Sequence, residues 1–220
     1  MTVEEMYKKI ILTNIPNYYI TDENCENLYY KAIANGIEKV LIGPSSMKIG
    51  EKFQDRNVKT IVSVAYPSGT VCPEIKAQEI EDCEQFSSIA DMYFVTAAVG
   101  YFMSGHEDNL EKEMKMCVET AKKPVYFITE IAEMSDSYLE KFCKLAQENK
   151  IAGIVISTAF MPYDVKRPSV EDIKRIKKYS GNKIEVIAAG TYKSLEDIND
   201  ALDAGADLVM VNEADNIIEA

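Results

Sequence analysis

Short runs of apolar, β-branched residues recur along the whole chain, separated by longer stretches in which apolar positions return every three or four residues. The first pattern suits strands buried on both faces, the second amphipathic helices. Eight strands are predicted, at 10–14, 39–42, 60–65, 92–98, 125–130, 153–157, 184–189 and 208–211. Helices are predicted to start near Asp22, Ser45, Pro73, Glu107, Ser135, Ser169 and Ser194. Ser135, Ser169 and Ser194 can each cap exposed backbone N–H groups, and acidic residues follow in the first turn, where the helix dipole favours them.

Regular alternation of strand and helix argues for a parallel sheet wrapped by helices. Eight such units within 220 residues favour an α/β fold of the (β/α)8 TIM-barrel type, built as a single domain over residues 1–220. A doubly wound open sheet is the rival, but no G-x-G-x-x-G follows the first strand and no Walker sequence occurs. Residues 213–220 leave room only for a short or missing final helix. In such a barrel the site is expected at the C-terminal ends of the strands.

Composition narrows the partners. A formal net charge of -12, with only three arginines (Arg56, Arg167 and Arg175), repels a phosphate backbone or an anionic membrane surface. No nucleic-acid or membrane partner is expected, and the basic run at 174–178 reads as the solvated face of a helix. The five cysteines are scattered without a C-x-x-C pair, which suggests reduced, mostly buried thiols. With no leader-like N-terminus and no run of about eighteen apolar residues, a cytoplasmic, soluble protein is expected.

Read in order, the strand ends give Thr13, Pro44, Tyr66 with Ser68, the 100–106 loop, Glu130, Ser157 with Thr158, Thr191 with Tyr192 and Lys193, and Asn212 with Glu213. Several stand in a recognisable order. Tyr66-Pro67-Ser68-Gly69 is followed by Lys76 and Glu79; Val99-Gly100 and Ser104-Gly105 follow strand four; Glu130 closes strand five; Ser157-Thr158 closes strand six; and Ala204-Gly205-Ala206-Asp207 leads into strand eight. In this order and over most of its length the chain resembles the deoxyribose-phosphate aldolases, class I enzymes of (β/α)8 fold that form a lysine imine.

The departures from that family fall on its chemistry. The resemblance places the imine-forming lysine at Val155 and the helper lysine that lowers its pKa at Ile187. It sets Phe94 where the family has the strand-four aspartate, and Ile11 where it has an acidic residue in strand one. An imine needs a neutral amine near neutral pH, and hydrocarbon supplies neither the amine nor the tuning charge. The phosphate site departs too: Ala159 and Thr191 replace glycines, and Val211-Asn212-Glu213 replaces Gly-Thr-Ser, with Glu213 expected to oppose a phosphate.

The expectation is therefore an aldolase-like barrel that is not a working deoxyribose-phosphate aldolase, with small-ligand binding or altered chemistry at its mouth. The ligand, sugar-like under the resemblance, is assigned to Thr13, Ser157, Thr158, Gly190, Thr191 and Asn212. The alternative is an active carbon–carbon lyase or isomerase using a displaced amine, Lys193 or Lys166, or the carboxylate of Glu130. Glu130 reads equally as a desolvated catalytic acid or a hydrogen-bonded structural one. The sole histidine, His106, reads as a loop or capping residue, and Lys76 with Glu79 as a surface ion pair three residues apart. No cofactor and no tightly bound metal are expected, while a homo-oligomer covering the barrel surface after strand eight is one arrangement left open.

Overall fold

In the computed structural model, described for residues 1–17, 19–160, 166–181, 183–213 and 217–218, eight parallel strands close in sequence order into a barrel, with β8 pairing back onto β1. The strands are β1 (Ile10–Thr13), β2 (Lys39–Ile42), β3 (Lys59–Val64), β4 (Ala90–Thr96), β5 (Val125–Ile128), β6 (Gly153–Val155), β7 (Glu185–Ala189) and β8 (Leu208–Asn212). The helices are α1 (Val3–Tyr7), α2 (Asp22–Ala34), α3 (Met47–Gly50), α4 (Pro73–Phe86), α5 (Val99–Met103), α6 (Glu107–Thr120), α7 (Asp136–Glu148), α8 (Val170–Ser180) and α9 (Leu195–Asp203). The (β/α)8 fold expected from the strand–helix alternation is the one observed. No α-helix follows β8 among the described residues, where Glu213 is in a 3-10 turn, and most of the 213–220 segment lies outside them.

The caps sit where the sequence puts them. The hydroxyls of Ser169 and Ser194 accept the N–H groups of Asp172 and Asp197, whose carboxylates return a bond to the cap backbone. Ser135 accepts from Tyr138 in the same way. The basic stretch at the end of α8 is partly spent on ion pairs: Arg175 with Asp136 and Asp172, and Lys177 with Asp207. The short helix α5, inside the segment read as a loop, lacks the apolar periodicity that would have marked it.

Which strand side chains face the barrel interior follows from the register. Tyr29 of α2 shares a 2.7 Å hydrogen bond with Thr60, so Thr60 faces the helices and Ile61 and Ser63 face inward. Paired residues on adjacent strands point to the same side, and Ser63 is paired to Phe94, Phe94 to Tyr126, Tyr126 to Gly153 and Gly153 to Glu185. Two residues further along, Ile128, Val155, Ile187 and Leu208 form the next inward tier. Ala189 pairs with Met210, and Met210 with Ile11, which brings β1 into the same interior.

The lower tier is tightly filled. The Phe94 and Tyr126 rings lie 5.1 Å apart, and Tyr126 donates a 2.8 Å bond to Glu185 at the strand beginnings. A Cβ on Gly153 would sit 2.3 Å from the Tyr126 ring, so glycine here makes room for the aromatic side chain of its neighbour.

Candidate functional site

Ile11, Phe94, Val155 and Ile187, the positions that the resemblance assigns to acids and lysines, are all fully buried, at 0% exposure. All four face the barrel interior, and Val155 and Ile187 are direct register partners. Around them stand Ile128, Leu41 and Met210, equally buried. The β4 member of this tier is Thr96, the register partner of Ile128, so the tier holds a hydroxyl but no charge that could hold an amine or lower its pKa.

Above this floor the mouth is polar on one side. Glu130, just past β5, accepts two bonds at one carboxylate oxygen, from the Thr158 N–H at 2.8 Å and the Thr158 hydroxyl at 2.6 Å. Its other oxygen, Oε2, is buried without a hydrogen-bond partner. Burial raises the Glu130 carboxyl above the ordinary range, outweighing the stabilisation its charged form draws from Thr158 and Ser157. Tyr66 reaches across the mouth and donates a 2.9 Å bond to the Thr158 carbonyl, tying the end of β3 to the end of β6. Its hydroxyl is pushed well above its usual value by burial, with the nearby Glu130 charge acting in the same direction.

The loops that carry these groups are held in unusual backbone conformations. Gly69 has φ of +63°, and a Cβ there would meet the carbonyl oxygens of Thr96 and Ala97 at 2.5 Å. Ala159 has φ of +55° although it is not glycine, so the turn after β6 keeps a geometry suited to glycine while carrying a methyl group. Ser157 accepts the Ala159 N–H at 3.1 Å and helps to fix that turn.

A cavity of about 520 Å³ opens beside Glu130, between the ends of β3, β4, β5 and β6. Pro67, Val99, Met103, Ile128 and Phe160 supply its apolar wall, and Thr96, Glu130, Glu133 and Thr158 its polar groups. A separate cavity of about 300 Å³ lies at the ends of β6 and β7, lined by Gly190, Thr191, Tyr192 and Lys193 together with residues of α8 and α9.

The residues assigned from the sequence to a ligand, and the catalytic candidates Glu130 and Lys193, are thus divided. Thr158 and Glu130 line the larger cavity; Gly190, Thr191 and Lys193 line the smaller one. Thr13 is fully buried and donates to the Leu41 carbonyl at 2.9 Å, and Ser157 is fully buried below its turn. Asn212 ends β8 and is part-exposed, and Glu213 feels Lys31 of α2 while partial burial raises its carboxyl. Lys193 and Lys166 are both solvent-exposed; their backbone N–H groups donate to Asp197 and Glu133. His106 stacks on Tyr101 at 3.7 Å and makes no capping bond through its side chain.

One expectation is overturned. Lys76 and Glu79 do not form a surface pair: Lys76 is fully buried, 2.7 Å from Glu113 of α6, and donates to the Thr96 carbonyl at 2.7 Å. Glu79 instead accepts the Ala65 N–H at 2.9 Å, at the start of the Tyr66 turn. The signal was present in the helical stripe, because Lys76 falls in step with Pro73, Ala77, Ile80 and Cys83, and Glu113 with Leu110, Met114 and Cys117. Two charges on facing apolar stripes find each other, and their position behind β4 braces the cavity wall at Thr96.

Among the described residues no group of three or more His, Cys, Asp or Glu side chains is placed to hold a metal, and no helix is long and apolar enough to cross a membrane.

This closed barrel, with its candidate site at the C-terminal strand ends, belongs to the (β/α)8 fold class. Within that class the chain is similar along essentially its full length to deoxyribose-phosphate aldolases. It is 27% identical to the enzyme of that name from Methanothermobacter thermautotrophicus over 220 residues, covering 99% of this chain and 96% of the relative. It is 28% identical to that of Caldicellulosiruptor saccharolyticus over 211 residues, covering 94% and 93%. The fold overlays on the tetrameric deoxyribose-phosphate aldolase from Aeropyrum pernix with a TM-score of 0.88 at 21% identity, covering 99% of this chain and 91% of that one. No protein-family profile matches the chain.

Proposed function

We propose that this chain is an aldolase-like barrel that forms no imine and instead holds a small, largely apolar ligand beside Glu130. The observation that carries the reading is the inward tier itself: Val155 and Ile187 lie side by side in register, fully buried, with Phe94 and Ile11 in the same interior. A carbonyl compound entering this barrel meets no nitrogen nucleophile on its floor. Lys193 and Lys166 are poor substitutes because both are solvent-exposed, outside the packed interior.

A second reading has one observation in its favour. Glu130 is partly withdrawn from solvent, has a raised carboxyl and stands beside the Thr158 hydroxyl, the attributes of a general acid or base for an isomerase-like proton transfer. A cytoplasmic homo-oligomer belongs to the same proposal, supported by the tetrameric assembly of the Aeropyrum relative.

The test is a coupled assay for acetaldehyde release from deoxyribose 5-phosphate, run beside deuterium exchange into a panel of hydroxy-aldehydes and ketones. No release and no exchange is the expected result. Release at enzymatic rates sinks the proposal, and exchange abolished by Glu130→Gln transfers support to the second reading.

A further inference from the structure

The ligand-binding reading leaves the chemistry of the ligand undefined, and the lining of the larger cavity defines it further. Its described walls include two carboxylates, Glu130 and Glu133, and no lysine or arginine side chain. Around them Val99, Met103, Ile128 and Phe160 give a largely apolar surface, in which Ser68, Thr96, Thr129 and Thr158 are the hydroxyl-bearing residues. A cavity of about 520 Å³ falls in the range that encloses a compact organic molecule.

Glu130 is unevenly satisfied. Thr158 supplies two donors to Oε1 and the Ser157 hydroxyl also favours the charged form, while Oε2 is buried and has no hydrogen bond of its own. A buried carboxylate oxygen without a donor is costly, and the group that relieves it is a donor carrying positive charge. Glu133 accepts the Lys166 N–H at 2.8 Å and adds a second negative charge at the same rim. A phosphate or carboxylate in this space would face both acids with no counter-cation on the described walls. Glu130 is part-exposed and lines the cavity, and the terminal torsion of a glutamate is broad, so a turn of the carboxylate presents an oxygen to an ammonium arriving there.

We propose that the cavity between the ends of β3 and β6 binds a compact apolar amine, its ammonium group seated on Glu130 with Glu133 at the rim and its hydrocarbon part against Val99, Met103 and Phe160. This rests on the ligand-binding reading above and specifies the head group that reading leaves open. It assigns the site a cation where the resemblance would imply a sugar phosphate.

The test uses the full chain and four probes that share an aromatic body and differ in head group: benzylamine, benzyl alcohol, benzoate and phenyl phosphate. Calorimetry and ligand-observed NMR should show benzylamine binding at least roughly tenfold more tightly than benzyl alcohol, with benzoate and phenyl phosphate weaker still. Glu130→Gln should erase the preference for the amine while retaining the alcohol. Met103→Trp, which fills the cavity and leaves both acids in place, should abolish binding of both, so the assignment stays testable if the glutamine variant does not fold. Equal affinity for amine and alcohol, a preference for either anion, or amine binding that survives Met103→Trp overturns this inference and leaves the ligand-binding reading standing. Binding of none of the four to the wild-type chain overturns both.

Discussion

Val155 and Ile187 are register partners on adjacent parallel strands, both without solvent exposure and both facing the barrel interior. A lysine placed at either position enters a tier that offers it no acid, since Phe94 and Ile11 occupy the nearby positions where the resemblance expects carboxylates. Hydrocarbon at all four sites is internally consistent, because a single retained charge would be buried without a partner.

Restoring the amine alone is therefore expected to fail. Val155→Lys should lower stability by about 3 kcal/mol or more, read from denaturant unfolding, because the ammonium is desolvated without a counter-ion. The variant should still release no acetaldehyde from deoxyribose 5-phosphate. Near-wild-type stability would mean that the interior contains room or water that the packed tier excludes.

The tier below makes a steric prediction. Since a Cβ on Gly153 lies 2.3 Å from the Tyr126 ring, Gly153→Ala should cost about 1–3 kcal/mol through overpacking. Adding Tyr126→Leu should recover part of that loss, and additive losses in the double variant would contradict the contact.

The turn after β6 makes a prediction of opposite sign. Ala159 is held at φ of +55°, where a side chain is strained and glycine is not. Ala159→Gly should raise the unfolding free energy, by about 0.5–1 kcal/mol once the greater freedom of glycine in the unfolded chain is subtracted. A loss of stability would show that the Ala159 methyl group packs more favourably than its backbone is strained.

Lys76 and Glu113 give the molecule a pH dependence. Burial pushes the Glu113 carboxyl up to about 7, above the ordinary carboxylate value, even though Lys76 opposes the shift. The folded state then binds a proton that the unfolded chain has released, so this stabilisation is complete below the unfolded value and is lost as pH rises through about 7. Unfolding midpoints measured from pH 4 to 8 should fall more steeply for wild type than for Glu113→Gln. Glu79 and Glu130, raised by their own burial, leave a residual slope in the variant. Parallel profiles would sink the assignment.

The barrel was legible in the chain because strands buried on both faces read as unbroken β-branched runs, and because Ser169 and Ser194 carry their capping partners three residues on. Glu130 was legible as a carboxylate at a strand end. What joins it to Thr158, and Thr158 to Tyr66, was not, since those contacts span 28 and 92 residues and no local pattern encodes them. The split of the polar strand ends into two cavities was hidden for the same reason: strand order is a local property, whereas the gap between loops depends on how Phe160, Met103 and Tyr192 pack. Lys76 was misread because three-residue spacing to Glu79 was weighed ahead of the apolar stripe on which Lys76 lies.

The most direct test of the central claim is reductive trapping. The protein is incubated with acetaldehyde, and separately with deoxyribose 5-phosphate, in the presence of cyanoborohydride at neutral pH, and its intact mass is compared with that of a bacterial deoxyribose-phosphate aldolase treated in parallel. The account predicts a stoichiometric reduced adduct on the control and, on this chain, only the slow, scattered labelling of exposed lysines seen equally in denatured protein. A rapid, single-site adduct that requires the folded state, on Lys193, Lys166 or any other residue, would contradict it.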